Sequence, residues 1–169
     1  GTVLDTSRLK YLISKHTGID ARYCHTYIIG AHGDSEVAAW SITNIAGMSM
    51  KSFFEHYGKC TDEDLQAMYS EVKNSAYEII QKKGATYYAI ATAVARIVEC
   101  ISGGENSVLT ISSVLNGEYG IEDVCLSTLT LVGPNGIQGK VQMRMNKEEV
   151  ALLKKSADAL KEVIAQIEL

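Results

Sequence analysis

His32 stands between Gly30 and Gly33, just beyond the apolar run Tyr23 to Ile29. A side chain at the end of such a run is carried by a rigid element yet reachable from solvent. Imidazole titrates near neutral pH, so there it can give or take a proton in a reaction. Chemistry on an anionic substrate needs two companions: a carboxylate that orients the ring and stabilises its cation, and a cation that binds the anion. Asp5 and Arg8, three apart in sequence, offer that carboxylate and a guanidinium fork for bidentate recognition. Spacing alone does not bring them to His32. Read from local pattern, Asp5 is also simply a helix cap and Arg8 a surface residue.

Other residues invite other chemistries. Gly33-Asp34-Ser35 follows a strand, as in one class of serine esterase, but that class needs a late Asp-x-x-His and all four histidines lie at or before position 56. The serine reading is set aside. His25 and Lys10 could bind an anion, although alternating His and Thr is also the ordinary polar face of a strand. Cys24, Cys60, Cys100 and Cys125 form no CxxC pair. They read as buried free thiols of a reducing cytoplasm, with no metal site expected.

These groups need elements to position them. Asp5 is expected to cap a helix with Leu9, Leu12 and Ile13 at apolar spacing, stopped by Gly18. A strand from Tyr23 to Ile29 then delivers the His32-Gly33-Asp34-Ser35-Glu36 turn, followed by an extended run around Trp40 to Ile42. Thr61 and Asp64 form a capping box for a helix with the stripe Leu65, Met68, Val72, Ala76, Ile79 and Ile80. Gly84 predicts a kink, after which Thr86 to Ile101 continues as a nearly all-apolar, deeply buried helix. Ser107 to Leu115, Glu122 to Val132 and Gly139 to Met145 alternate as three strands, with short turns that imply an antiparallel meander. Asn146 with Glu149 caps a last helix striped by Val150, Leu153, Ala157, Leu160, Ile164 and Ile167. The fold class is therefore α+β, in one domain over residues 1–169.

Composition agrees with a packed domain: 169 residues, 46% of them hydrophobic, are enough to bury a core. Sixteen basic against twenty acidic residues leave no surplus to neutralise a phosphate backbone, so nucleic acid is not an expected partner. Apolar runs are short, and the first twenty residues hold Asp5, Arg8, Lys10, Lys15 and His16, so neither a membrane partner nor a signal peptide is expected. No GxGxxG occurs, which leaves a dinucleotide fold unsupported within the chain. The opening GTVLDTSRLKYL begins at once with patterned structure, as an excised piece does, so a missing upstream part is expected.

Three stretches, GTVLDTSRLKYLIS, HTYIIGAHGDSEVAAWS and KKGATYYAIA, occur in this order. In combination they resemble the carboxy-terminal half of bacterial L-lactate dehydrogenases of the lactate/malate dehydrogenase family, over essentially the whole chain. The resemblance implies a half-enzyme interconverting pyruvate and L-lactate with NAD, whose main site lies in an amino-terminal half absent here. It makes His32 the proton donor and acceptor, Asp5 the carboxylate orienting it and Arg8 the fork on the substrate carboxylate. Thr86 would line the substrate pocket and Ile90 would lie beside the nicotinamide. Lys10 and His25 fall where allosteric members bind fructose 1,6-bisphosphate, Lys10 bringing a charge without a fork. A cytoplasmic homotetramer is implied for the complete protein. The alternatives are a lactate-dehydrogenase-like malate dehydrogenase and a non-enzymatic assembly module, the TYYAIA run favouring lactate.

Overall fold

The computed structural model describes residues 1–57 and 60–167. Helix α1 (Thr2–Thr17) buries Leu9, Leu12 and Ile13 and ends where Gly18 takes the left-handed conformation, its N–H on the Ser14 carbonyl. Its N-cap is Gly1, not Asp5. Asp5 sits inside the first turn with its side chain 2% exposed, because the helix starts four residues earlier than the capping pattern implied.

After α1, the run from Tyr23 to Ile29 is not one strand. Tyr23 closes a short 3-10 turn, and β1 (Cys24–His25) and β2 (Ile28–Ile29) join two different sheets. β2 pairs with β3 (Val37–Ala38), while the predicted extended run at Trp40–Ile42 is a 3-10 turn that redirects the chain into β4 (Asn44–Ile45) and β5 (Met48–Ser49). Helix α2 (Met50–Tyr57), which the sequence pattern did not single out, packs Met50 and Phe53 into the core.

Helix α3 (Asp62–Lys83) opens with the expected capping box of Thr61 and Asp64. Its stripe is only partly used: Met68 and Val72 are buried, whereas Ile80 is exposed. Gly84 does not kink one helix. It adopts a left-handed C-cap that ends α3, and α4 (Tyr88–Ser102) begins afresh, leaving Thr86 in the link. Nor is α4 deeply buried, since only Ala93 and Cys100 are enclosed, and Val94, Val98 and Ile101 face outward. An all-apolar helix fits burial against any surface, inside this chain or beyond it.

The meander forms as expected from β6 (Ser107–Asn116), β7 (Glu122–Gly133) and β8 (Gly136–Lys140). The third strand starts earlier than predicted and ends at Lys140, because the Gly133-Pro134-Asn135-Gly136 turn is tight enough for Gly133 to pair with Gly136. Helix α5 (Lys147–Ile164) carries the predicted Asn146/Glu149 capping box. Leu153 and Ala157 are buried, but Ile164 and Ile167 lie at the exposed end.

Two cores result. One joins α1, β1, α2 and α3 around Leu9, Ile13, Ile45 and Val72; the other packs β7 and α5 around Leu126, Leu129 and Leu153. β2 lies between them, giving Ile28 to the first and Ile29 to the second. The four cysteines are free, with Cys24 and Cys100 buried but Cys60 half-buried and Cys125 exposed, contrary to a uniformly buried set. No helix among the described residues is long and apolar enough to cross a membrane.

Candidate active site

The site is assembled where α1, the turn after β2 and the link into α4 converge. Two threonines fasten α1. Thr2 Oγ1 bonds the Thr110 carbonyl at 2.9 Å and Ser127 Oγ at 2.8 Å, and Thr6 Oγ1 accepts the Ile28 N–H at 2.9 Å. The helix that carries Asp5 and Arg8 is thereby tied to the meander and to β2.

The His32 turn is held from three sides. Gly30 exchanges backbone hydrogen bonds with Ser127 of β7, at 2.8 and 3.1 Å. From α5, Ser156 Oγ accepts the Ala31 N–H at 3.0 Å and meets Ser35 Oγ at 3.1 Å. Gly30 has a φ of 88°, and a Cβ there would stand 3.0 Å from Ser156 Oγ, so both the conformation and the close approach call for glycine. From α3, the Tyr69 hydroxyl donates to the Glu36 carbonyl and Lys73 Nζ to the Asp34 carbonyl, the latter at 2.7 Å.

The three residues singled out in sequence meet. His32 Nδ1 lies 2.6 Å from Asp5 Oδ2, and Arg8 Nη1 donates to Asp5 Oδ1 at 3.2 Å. Asp5 is buried, while the His32 side chain is 53% exposed, so the carboxylate anchors a ring whose other edge stays accessible. The buried Asp5 carboxylate thus bridges the imidazole and the guanidinium. Arg8 makes no other hydrogen bond among the described residues, leaving donors for an incoming anion. Arg8, His32, Thr86 and Ile90 all border one cleft of about 400 Å³, closed by Leu4 and Ala76. Thr86 is exposed and Ile90 half-buried.

Lys10 and His25 border a different cleft of about 350 Å³, which also receives Arg96. Arg96 is engaged with Glu105 at 2.7 Å. Elsewhere, folding gathers His16, Cys60 and Asp64 to within 4.8 Å of one another. Burial first, then Asp64 and Asp62, push the Cys60 thiol up to about 11, and Asp64 is committed to its capping box, which makes a poor ligand set for a metal.

Two residues of the site escaped the sequence pattern. Gly1 lies against the imidazole: a Cβ there would fall 2.1 Å from His32 Cγ. Glu36 read as the end of a polar turn, yet its side chain is 1% exposed and its Oε2 is 3.9 Å from His32 Nδ1. Burial first, then the Asp5 charge, push Glu36 up to about 8. The available signal was its place directly before the apolar Val37-Ala38-Ala39 run, where a carboxylate is out of character.

The cofactor implied by the resemblance fits this chain only in part. The apolar edge at Ile90 beside Thr86 and His32 suits the nicotinamide end. With no glycine-rich phosphate loop in the sequence, the chain offers nothing comparable for the pyrophosphate.

The chain is 54% identical over 170 residues to the L-lactate dehydrogenase of Acetivibrio thermocellus, and 52% identical over 168 residues to L-lactate dehydrogenase 1 of Clostridium acetobutylicum. It spans about half the length of these relatives, 54% of each. Among solved structures, the ligand-bound minor L-lactate dehydrogenase of Enterococcus mundtii superposes with a TM-score of 0.94 at 40% identity. That match covers 100% of this chain and 54% of the other. The α+β arrangement is thus one found in lactate dehydrogenases. Residues 2–168 fit the lactate/malate dehydrogenase alpha/beta C-terminal domain, and the chain belongs to that family.

Proposed function

We propose that this chain is the catalytic half of a cytoplasmic, NAD-dependent L-lactate dehydrogenase that interconverts pyruvate and L-lactate. The observation that carries the reading is the His32–Asp5–Arg8 constellation, with its 2.6 Å imidazole–carboxylate contact at the mouth of a cleft bordered by Thr86 and Ile90. Bound NAD supplies or accepts the hydride, held chiefly by a nucleotide-binding half outside this chain.

The chain's own residues do the rest. Arg8 receives the substrate carboxylate through donors that Asp5 does not occupy, fixing the substrate in the cleft. His32, protonated at the ring nitrogen away from Asp5, gives that proton to the ketone oxygen; in reverse it takes the hydroxyl proton of lactate. Asp5 holds the ring by Nδ1 and stabilises the imidazolium. Thr86 and Ile90 form a polar and an apolar part of the wall.

Lys10 and His25 at one cleft support a second element of the proposal, allosteric activation of a homotetramer by fructose 1,6-bisphosphate. Both parts are tested on the protein carrying this chain together with a nucleotide-binding half. NADH oxidation should follow addition of pyruvate, be lost in His32→Asn, and shift in pyruvate saturation when the bisphosphate is added. Preference for oxaloacetate would make it a malate dehydrogenase, and no turnover with either acid would overturn the enzyme assignment. Superposable pyruvate curves with and without the bisphosphate would retire the effector site.

A further inference from the structure

We propose that Glu36 is a positioning residue for His32: a buried carboxylic acid, neutral while the ring is cationic, whose ionisation adds a second negative charge beside the imidazole and holds its proton as the pH rises. The inference rests on the proton-transfer role given to His32 above.

The geometry places three proton-binding groups in one small volume. Ligand-capable atoms of Asp5, His32 and Glu36 all lie within 4.8 Å of one another, and both carboxyl side chains are almost fully enclosed, at 2% and 1% exposure. Two ionised carboxylates this close need cations between them. From α1, Arg8 is the fixed cation, and its one carboxylate contact among the described residues goes to Asp5. From α3, the Tyr69 hydroxyl bonds the Glu36 backbone and Lys73 points its ammonium at the Asp34 carbonyl, so Lys73 acts on the Glu36 carboxyl through its charge alone; that charge and the Gly33 backbone favour ionisation less than burial and Asp5 oppose it. On the turn itself, Asp34 is exposed and His32 is the partner already described. Glu36 Oε1 is buried and without a hydrogen-bond partner among the described residues. An orphan oxygen is far less costly on a neutral acid than on an anion, so of the two carboxyls Glu36 keeps the proton. The elevation of Glu36 to about 8 agrees.

Coupling follows from proximity. Loss of the Glu36 proton strengthens the hold on the His32 proton, and loss of the His32 proton strengthens the hold on that of Glu36, so the two titrations spread apart. An enzyme reducing a ketone with protonated His32 would then keep part of its active population to higher pH than Asp5 alone allows.

Isotope-edited NMR on the full-length protein tests this without any need for turnover, so it can fail independently of the dehydrogenase assignment. The Glu36 carboxyl carbon, identified by its loss in Glu36→Gln or Glu36→Ala, should titrate with a midpoint of about 8. The His32 ring signals should inflect again at that same pH. In Glu36→Gln that second inflection should vanish, and the ring should lose its proton along a single-site curve displaced downward by about one unit. A Glu36 carbon that titrates in the ordinary carboxylate range overturns the proposal. So does a His32 curve that Glu36→Gln leaves unchanged. The carboxyl measurement can be made on the unsubstituted protein by through-bond assignment, and it decides the matter even where neither variant folds.

Discussion

Arg8 is where charge and geometry separate most cleanly. Its guanidinium can serve Asp5 and a substrate carboxylate at once, whereas an ammonium presents a compact charge without a planar fork. Arg8→Lys should therefore lower kcat/KM for pyruvate by about 2 to 5 kcal/mol, the range for breaking a buried hydrogen-bonded charge pair. A variant within a few-fold of wild type would remove Arg8 from the carboxylate site. At Asp5, the expected defect is one of protonation. Asn presents an amide that can donate to Nδ1 and so displace the proton the ring should carry there, and it takes away the negative charge that stabilises the imidazolium. The pH profile of pyruvate reduction in Asp5→Asn should lose activity at a lower pH than wild type; an unchanged profile would leave Asp5 a purely structural residue. Residue types were legible in the sequence here, but their meeting was not. Asp5 and His32 are 27 positions apart, and long-range ties such as the Gly30–Ser127 bridge and the threonines of α1 bring them together. Glu36 gave one local hint, its place before the apolar Val37-Ala38-Ala39 run, but its nearness to Asp5 and His32 is a matter of tertiary packing.

Elements were read well where the signal was covalently local. Both capping boxes, Thr61/Asp64 and Asn146/Glu149, and the left-handed Gly18 end depend on residues within a turn of one another, and all three stand as the sequence indicated. Readings failed where a non-local packing decision was needed: α4 looked like a core helix because apolar side chains surround it, and the outcome depended on which surfaces reach it. At Gly84 the expected kink is a stop instead, because the glycine takes a left-handed cap and α4 begins afresh at Tyr88. The α5 box also does more than its pattern requires. Glu149 is buried and accepts the Ser41 N–H at 2.8 Å as well as the Ser41 hydroxyl, so the cap of α5 also fastens the 3-10 turn at Trp40–Ile42. Glu149→Ala should orphan these donors and lower unfolding free energy by about 1 to 3 kcal/mol. Denaturant titration measures this, and a loss below a few tenths would assign Glu149 only the exposed half of the box.

At the scale of the molecule, the chain assembles the candidate site on a surface that stays partly apolar and exposed. Its two cores are complete, with the turn bearing His32 sewn between them, yet the cleft that joins Arg8, His32, Thr86 and Ile90 borders α4, whose Tyr88, Val94, Val98 and Ile101 remain in water. Exposed apolar area of this kind favours association. In the proposed roles, an acid, an orienting carboxylate and an anion fork lower no barrier unless a hydride donor is held against the substrate, and positioning of that kind accounts for roughly 7 to 11 kcal/mol in well-oriented reactions. The chain purified by itself should therefore fail to oxidise NADH with pyruvate, and should sediment as concentration-dependent oligomers. Mixing it with a separately produced nucleotide-binding half of the same protein should recover turnover, because His32, Asp5 and Arg8 are already arranged within this chain. Robust NADH oxidation by the chain alone, free of contaminating enzyme, would demand a cofactor cradle within residues 1–169 and would overturn the division of labour between the two halves.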